Sequence, residues 1–222
     1  HGFGEISDDV VNQGRIQADQ SEESLTFSAG LTNLGTVGAV NGAWLWIYGA
    51  LFMRGLVRLA GYASGTIEIW GGDLLGDTRN REQSITTAQV IFYGTSAAEN
   101  PQFLEVMNKD IGPSVGGLQS GLAYSHLTLG ARTYTQLVDR SDNAEGTGKE
   151  ALYVAFLEVQ AGATLDLNGL RIYVGEAKIQ GAIAGGTLQF IHHPANGMFP
   201  GEKFYAGKPS SLALGDLNRD GS

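Results

Sequence analysis

The chain has 222 residues, 33 of them glycine and none cysteine, with 14 basic against 23 acidic side chains and a formal net charge of −9. A 42% hydrophobic share and 17% charged residues exclude a disordered chain, and acidity without clustered Lys or Arg excludes a nucleic-acid partner. The lack of cysteine removes disulfides, thiol catalysis and Cys-based zinc sites together, and the longest apolar run, over residues 43–53, is too short to span a membrane as a helix.

In chain order, residues 5–72 carry a recurring block. Asn12-Gln13-Gly14-Arg15-Ile16 returns as Asn33-Leu34-Gly35-Thr36-Val37 and again as Met53-Arg54-Gly55-Leu56-Val57. Each copy lies near a second apolar pair at alternate positions: Leu25 and Phe27, Leu45 and Ile47, Ile67 and Ile69. A period this short, built from strand-like pieces, predicts stacked coils whose cores form only between neighbours. Asn12 and Asn33 fall at matching turns, where stacked amides can bond to one another along the stack.

Residues 73–94 read as a fourth, degraded coil with Ile85, Val90 and Phe92 as strand material. Over 97–125 the pattern breaks: Pro101 followed by Phe103, Leu104, Val106, Met107 and Ile111 predicts a short amphipathic helix ending near Gly112-Pro113. Strands resume at Leu127 and continue to Phe190, separated by turns at Gly162, Asn168-Gly169, Gly181 and Gly185-Gly186. From His192 onward Pro, Gly and Lys accumulate, as in a linker. The expected organisation is a repeat region over 1–94, an insertion with a short helix over 95–125, a second β-rich region over 126–193 and a tail over 194–222. The expected fold is all-β, a parallel β-solenoid with that short helical insertion; a β-sandwich is the alternative if the coils pair antiparallel.

Strand phase gives the sharpest candidate surface. If Leu45, Ile47, Ile67 and Ile69 face the core, Trp44, Trp46, Tyr48 and Trp70 share the outer face. Such an aromatic patch suits another copy of the chain or the flat face of a sugar, unless the 97–125 insertion covers it. Asp216, Asn218, Asp220, Gly221 and Ser222 match the first positions of a calcium loop, without the acid expected at its twelfth. Asp139, Asp142, Glu145 and Glu150 make an acidic loop that reads first as a solvated connection and second as a catalytic cluster. His1 raises a copper-brace reading whose remaining pattern is absent. The chain starts without Met or a signal peptide, as expected of a processed or trimmed piece.

Thr133-Tyr134-Thr135-Gln136-Leu137-Val138-Asp139, Glu150-Ala151-Leu152-Tyr153-Val154 and Gly162-Ala163-Thr164-Leu165-Asp166-Leu167-Asn168-Gly169-Leu170 resemble a group of secreted bacterial proteins typical of planctomycetes. The tail Gly215-Asp216-Leu217-Asn218-Arg219-Asp220-Gly221-Ser222 resembles the opening of a dockerin-like calcium repeat, and the early coils are similar to adhesin and autotransporter passenger domains. The resemblance covers most of residues 5–191 and is most specific at Leu165–Leu170. It implies an exported, cell-surface β-rich protein and supplies no catalytic residues. The expected function is an extracellular structural protein, not an enzyme, that self-associates, as in a filament or surface layer. A carbohydrate-binding adhesin module is the alternative and a polysaccharide-active enzyme the third reading; calcium is the one ion suggested.

Overall fold

The computed structural model describes residues 2–54, 58–62, 65–77, 85–119, 122–144 and 148–191, with the backbone alone at 58–62 and 85–88. One compact unit covers His1–His192, and a second, His193–Ser222, lies outside the described residues, as do the expected tail and its calcium-loop residues Asp216, Asn218 and Asp220. No helix among the described residues is long and apolar enough to cross a membrane.

Strands come first in groups of three: β1 (Gly4–Ile6), β2 (Val10–Asn12) and β3 (Arg15–Ala18); β4 (Ser24–Phe27), β5 (Leu31–Asn33) and β6 (Thr36–Val40); β7 (Trp44–Ile47), β8 (Leu51–Arg54) and β9 (Arg58–Tyr62). Then follow β10 (Thr66–Trp70), β11 (Leu74–Asp77), β12 (Ile85–Tyr93), β13 (Gln102–Glu105), β14 (Asn108–Lys109), a 3-10 turn at Val115–Leu118, β15 (Ala123–Leu129) and β16 (Tyr134–Val138). β17 (Glu150–Val159), β18 (Thr164–Asp166), β19 (Arg171–Ile179), β20 (Ala182–Ala184) and β21 (Gln189–Phe190) complete the series.

Apart from β14 and β15, consecutive strands enter different sheets, and each early strand pairs with the third one after it. The sheets run β1-β4-β7-β10-β12-β15-β17-β19-β21, β2-β5-β8-β11-β13-β16-β18-β20 and β3-β6-β9. Among the described residues every ladder between these strands is parallel except β14 with β17. The chain is therefore all-β with parallel sheets. Among the described residues the antiparallel pairing that the sandwich alternative requires is confined to that short ladder and an isolated bridge between Ala97 and Asn100.

Register, more than strand propensity, organises the core. Phe27, Ile47, Ile69, Phe92, Leu129 and Val159 are successive partners and all fully buried. Leu31, Leu51, Leu74, Leu104 and Leu137 form a second such column in the facing sheet. Each of these side chains contributes about 1.5–3 kcal/mol by leaving water. A slip of one residue would turn a whole strand's apolar set outward, so the columns fix the register. Turns use the residues their backbone needs: Asn41 and Gly42, and Asn168 and Gly169, all have positive φ, the conformation Asn-Gly pairs tolerate.

The paired asparagines do bond along the stack. Asn12 and Asn33 are register partners, and Asn12 Nδ2 donates to Asn33 Oδ1 at 2.6 Å and to the Thr36 carbonyl at 2.9 Å. Met53 occupies the next position, fully buried, and the amide ladder stops there.

Three expectations are corrected. Ile16 does pair with Val37, but Val37 pairs with Leu59, two residues beyond the expected Val57, which lies outside the described residues. The step from Val37 to its partner Leu59 is 22 residues, against the 20 that the repeat suggested. The expected helix over 101–111 is not formed; its residues give β13 and β14, and the only helical turn nearby among the described residues is the 3-10 turn. Nor does the segment interrupt the sheet, because β13 lies between β11 and β16 and completes ladders on both sides. A helix would leave those two edges unpaired. Leu104 and Val106 reach the core with the alternation of a strand, and the buried Gln102 Nε2 donates to the carbonyls of Gly72 and Tyr93, both at 3.1 Å.

The three-strand grouping gives way after β11 because β12, β15, β17 and β19 are long. β12 packs against both β9 and β10, and its pairing with β15 shifts register between Thr86 and Gln89. A corner that earlier groups make with a turn is here taken by an irregularity within one strand.

Candidate functional site

The residues singled out by strand phase lie on β7 and β10 and just beyond β7. Leu45, Ile47, Ile67 and Ile69 are fully buried, while Trp44, Trp46 and Trp70 are half-buried and Tyr48 is 46% exposed. The structure brings only part of this set into ring contact. Tyr48 stacks on Trp70 with centroids 5.8 Å apart and planes 21° apart, and Trp70 continues to Tyr93 at 4.8 Å and 32°. Tyr93 was missed by the sequence reading; continuing the alternation through Val90 and Phe92 places it outward, one partner beyond Trp70. Gly130 comes next, where a Cβ would stand 2.4 Å from Tyr93 Cδ1. A bare backbone there leaves room for the ring.

Trp44 and Trp46 begin different rows. Trp44 aligns with Thr66, Gln89, His126 and Phe156, and the last two rings pack 4.4 Å apart. Trp46 aligns with Glu68, whose carboxylate accepts from Trp70 Nε1 at 3.0 Å. Burial raises the Glu68 carboxyl above its ordinary value, and the Trp70 N–H bond opposes the rise. Trp46 Nε1 is buried without a partner.

The 95–125 insertion is strapped by side chains of β17 and β19. Tyr153 Oη accepts from Ile111 N at 3.0 Å and donates to the Gly112 carbonyl at 2.9 Å, and Tyr173 Oη donates to Asp110 Oδ1 at 2.8 Å. Arg171 pairs with Asp110 at 3.2 Å, and the Tyr153 and Tyr173 rings pack 4.9 Å apart. These contacts fix residues 110–112 beside the start of β17, while Gln102 of the same segment bonds the backbone carbonyl of Tyr93.

Ring geometry sets what the column can do. Both faces of Trp70 are occupied by tyrosines, and a sugar stacks on an aromatic face rather than its edge. Tyr48 and Tyr93 each have one ring partner among the described residues, and the Gly130 backbone lies against the Tyr93 ring. The column suits lateral contact through edges better than a platform for a glycan chain.

The acidic loop is a folding device. Glu150, buried, accepts from Asn143 N and from Ala144 N, the latter at 2.6 Å; Glu105, buried and absent from the sequence reading, accepts from Arg140 N at 2.5 Å and Ser141 N at 2.9 Å. These carboxylates hold the loop from within the fold. Asp139 and Asp142 are exposed, and Glu145 lies outside the described residues. Burial pushes Glu150 up to about 7 against its two N–H bonds, with Asp139 adding to the rise. Loop donors aimed at a carboxylate favour an anion, and no cluster of three or more His, Asp or Glu suited to a metal occurs among the described residues. His1, the copper-brace candidate, is outside them.

No protein-family model matches the chain, and neither does a curated protein or a solved structure.

Proposed function

We propose that the chain is a parallel β-solenoid serving as an exported, cell-surface structural protein that self-associates end to end. Support for the solenoid is the common stagger: β1 to β4, β2 to β5 and β3 to β6 each pair residues 21 apart, as in Gly4 with Leu25, Val10 with Leu31 and Arg15 with Thr36. Windings of equal length stacked in register are what a solenoid requires.

The observation that carries self-association is the edge formed by β1, β2 and β3. None of the three has a second partner strand among the described residues, the one bridge being Gly2 with Ala18 of β3, and Phe3, Ile6 and Val11 beside them are 64%, 36% and 62% exposed. Unpaired N–H and C=O groups next to apolar side chains form a template for another strand. At the opposite edge Ile179 and Phe190 are 38% and 53% exposed, giving apolar surface there too. Joining the two edges of successive copies is a heterologous contact, which builds an open filament unless rotation closes it.

Sedimentation and negative-stain electron microscopy test this reading. Oligomers or fibres that grow with concentration are expected, and Val11→Lys, which sets a charge on the edge, is expected to hold the protein monomeric. A dispersed monomer at the highest soluble concentration overturns it.

A further inference from the structure

We propose that a groove on the outer face of the second sheet binds a short stretch of neutral saccharide chain. Phe52 and Leu75 are register partners on its floor, as are Arg54 and Asp77 along one wall. Glu105 and the Arg140–Ser141 loop form the far rim, enclosing about 330 Å³. That is at the lower end of small-molecule sites, which run from about 300 to 1,000 Å³. It is distinct from the aromatic column, which lies on the first sheet.

The far rim is fixed before any ligand arrives. Glu105 takes the N–H groups of Arg140 and Ser141, and the Arg140 guanidinium lies 3.9 Å from the centre of the Phe103 ring. Among the described residues Arg140 has no carboxylate within ion-pair distance, leaving its N–H fork available. Arg54 and Asp77 face each other loosely, at 3.7 Å, with 59% and 52% of their side chains exposed. A site whose polar groups are already placed loses less entropy on binding.

The lining selects the ligand's chemistry. Arg54 is balanced by Asp77, and Arg140 by the buried Glu105 beneath the rim, so the lining is formally neutral and favours neither an anionic nor a cationic ligand. Hydroxyl groups both donate and accept, so a polyol can use Arg54, Asp77 and Arg140. Phe52 is 39% exposed and has no stacked ring among the described residues, so its face is open to the C–H side of a pyranose. This contrasts with Trp70, whose faces are taken. An added peptide strand is disfavoured because β8, β11 and β13 are each paired on both sides. The open groove crosses successive strands about 4.8 Å apart, which suits a linear chain laid across them.

The test is a glycan array carrying neutral and uronate-containing oligosaccharides, followed by calorimetric titration of the best neutral ligand into the intact chain. A neutral glycan is expected to bind. Phe52→Ala and the more conservative Phe52→Leu should each weaken it at least tenfold while leaving the far-ultraviolet circular dichroism unchanged, and Trp70→Ala should retain wild-type affinity. Absence of any neutral ligand, preference for uronates, full affinity in both Phe52 variants, or equal loss in Trp70→Ala overturns the proposal. Val11→Lys leaves the groove intact, so failure to assemble and failure to bind are separate results.

Discussion

Replacing Glu150 by glutamine should stabilise the protein above neutral pH. Glu150 Oε1 receives the N–H groups of Asn143 and Ala144, but Glu150 Oε2 and Asn143 Oδ1 are both buried acceptors without a donor. Burial raises the carboxyl from 4.5 to about 7 against the bonds from Ala144 and Asn143, so the fold disfavours its charged form. The neighbouring charges are Asp139, itself raised by burial and by Asp142, and Lys109 opposite Glu150 on β14. The folded state therefore binds more protons than the unfolded chain between these values. This group's contribution is complete below about 4.5 and is lost as pH rises through about 7. The full displacement corresponds to about 3 kcal/mol at roughly 1.4 kcal/mol per pH unit. Solvent around the exposed Asp139 and Asp142 screens part of that, leaving about 2 kcal/mol. Glutamine can accept the same N–H groups through its carbonyl and carries no charge for burial to disfavour. Urea unfolding from pH 4.5 to 8 should show the Glu150→Gln advantage growing to about 2 kcal/mol across that window. A pH-independent difference between the proteins, or a weaker variant at pH 8, refutes the reasoning. The comparison is differential because burial also raises Glu68, Asp73 and Glu105.

Asn33→Met, which copies the residue one step along the ladder, should cost about 2 kcal/mol in urea unfolding, because the buried Asn12 amide loses an acceptor. Gly117→Ala places a Cβ 1.9 Å from Tyr153 Cε1. It should cost about 3 kcal/mol through overpacking and speed amide exchange at Ile111. Tyr153→Phe, which keeps the ring and removes both hydroxyl bonds, should lose about 1–2 kcal/mol with the same local increase in exchange.

Short-range residue patterns determined the strand character, the alternating core of β4, β7 and β10, and the stacked amides of Asn12 and Asn33. A residue's inward or outward phase depends only on the two-residue period of a strand, so it was legible without partners. Phase also put Trp44, Trp46, Tyr48 and Trp70 on one face. Which rings touch was settled by register between strands, and it joined Tyr48 and Trp70 to Tyr93 while leaving Trp44 and Trp46 in other rows. The 101–111 segment shows the limit most clearly: its apolar spacing fits a helix or a strand equally, and the open ladders of β11 and β16 chose the strand. Glu105 and Arg140 are 35 residues apart in sequence and meet only because the loop after β16 folds over β13. Local periodicity chose the element type where one face dominates, whereas contacts between distant strands chose the partners, the register and the groove, because hydrogen-bonding edges and buried volume exist only after the strands have come together.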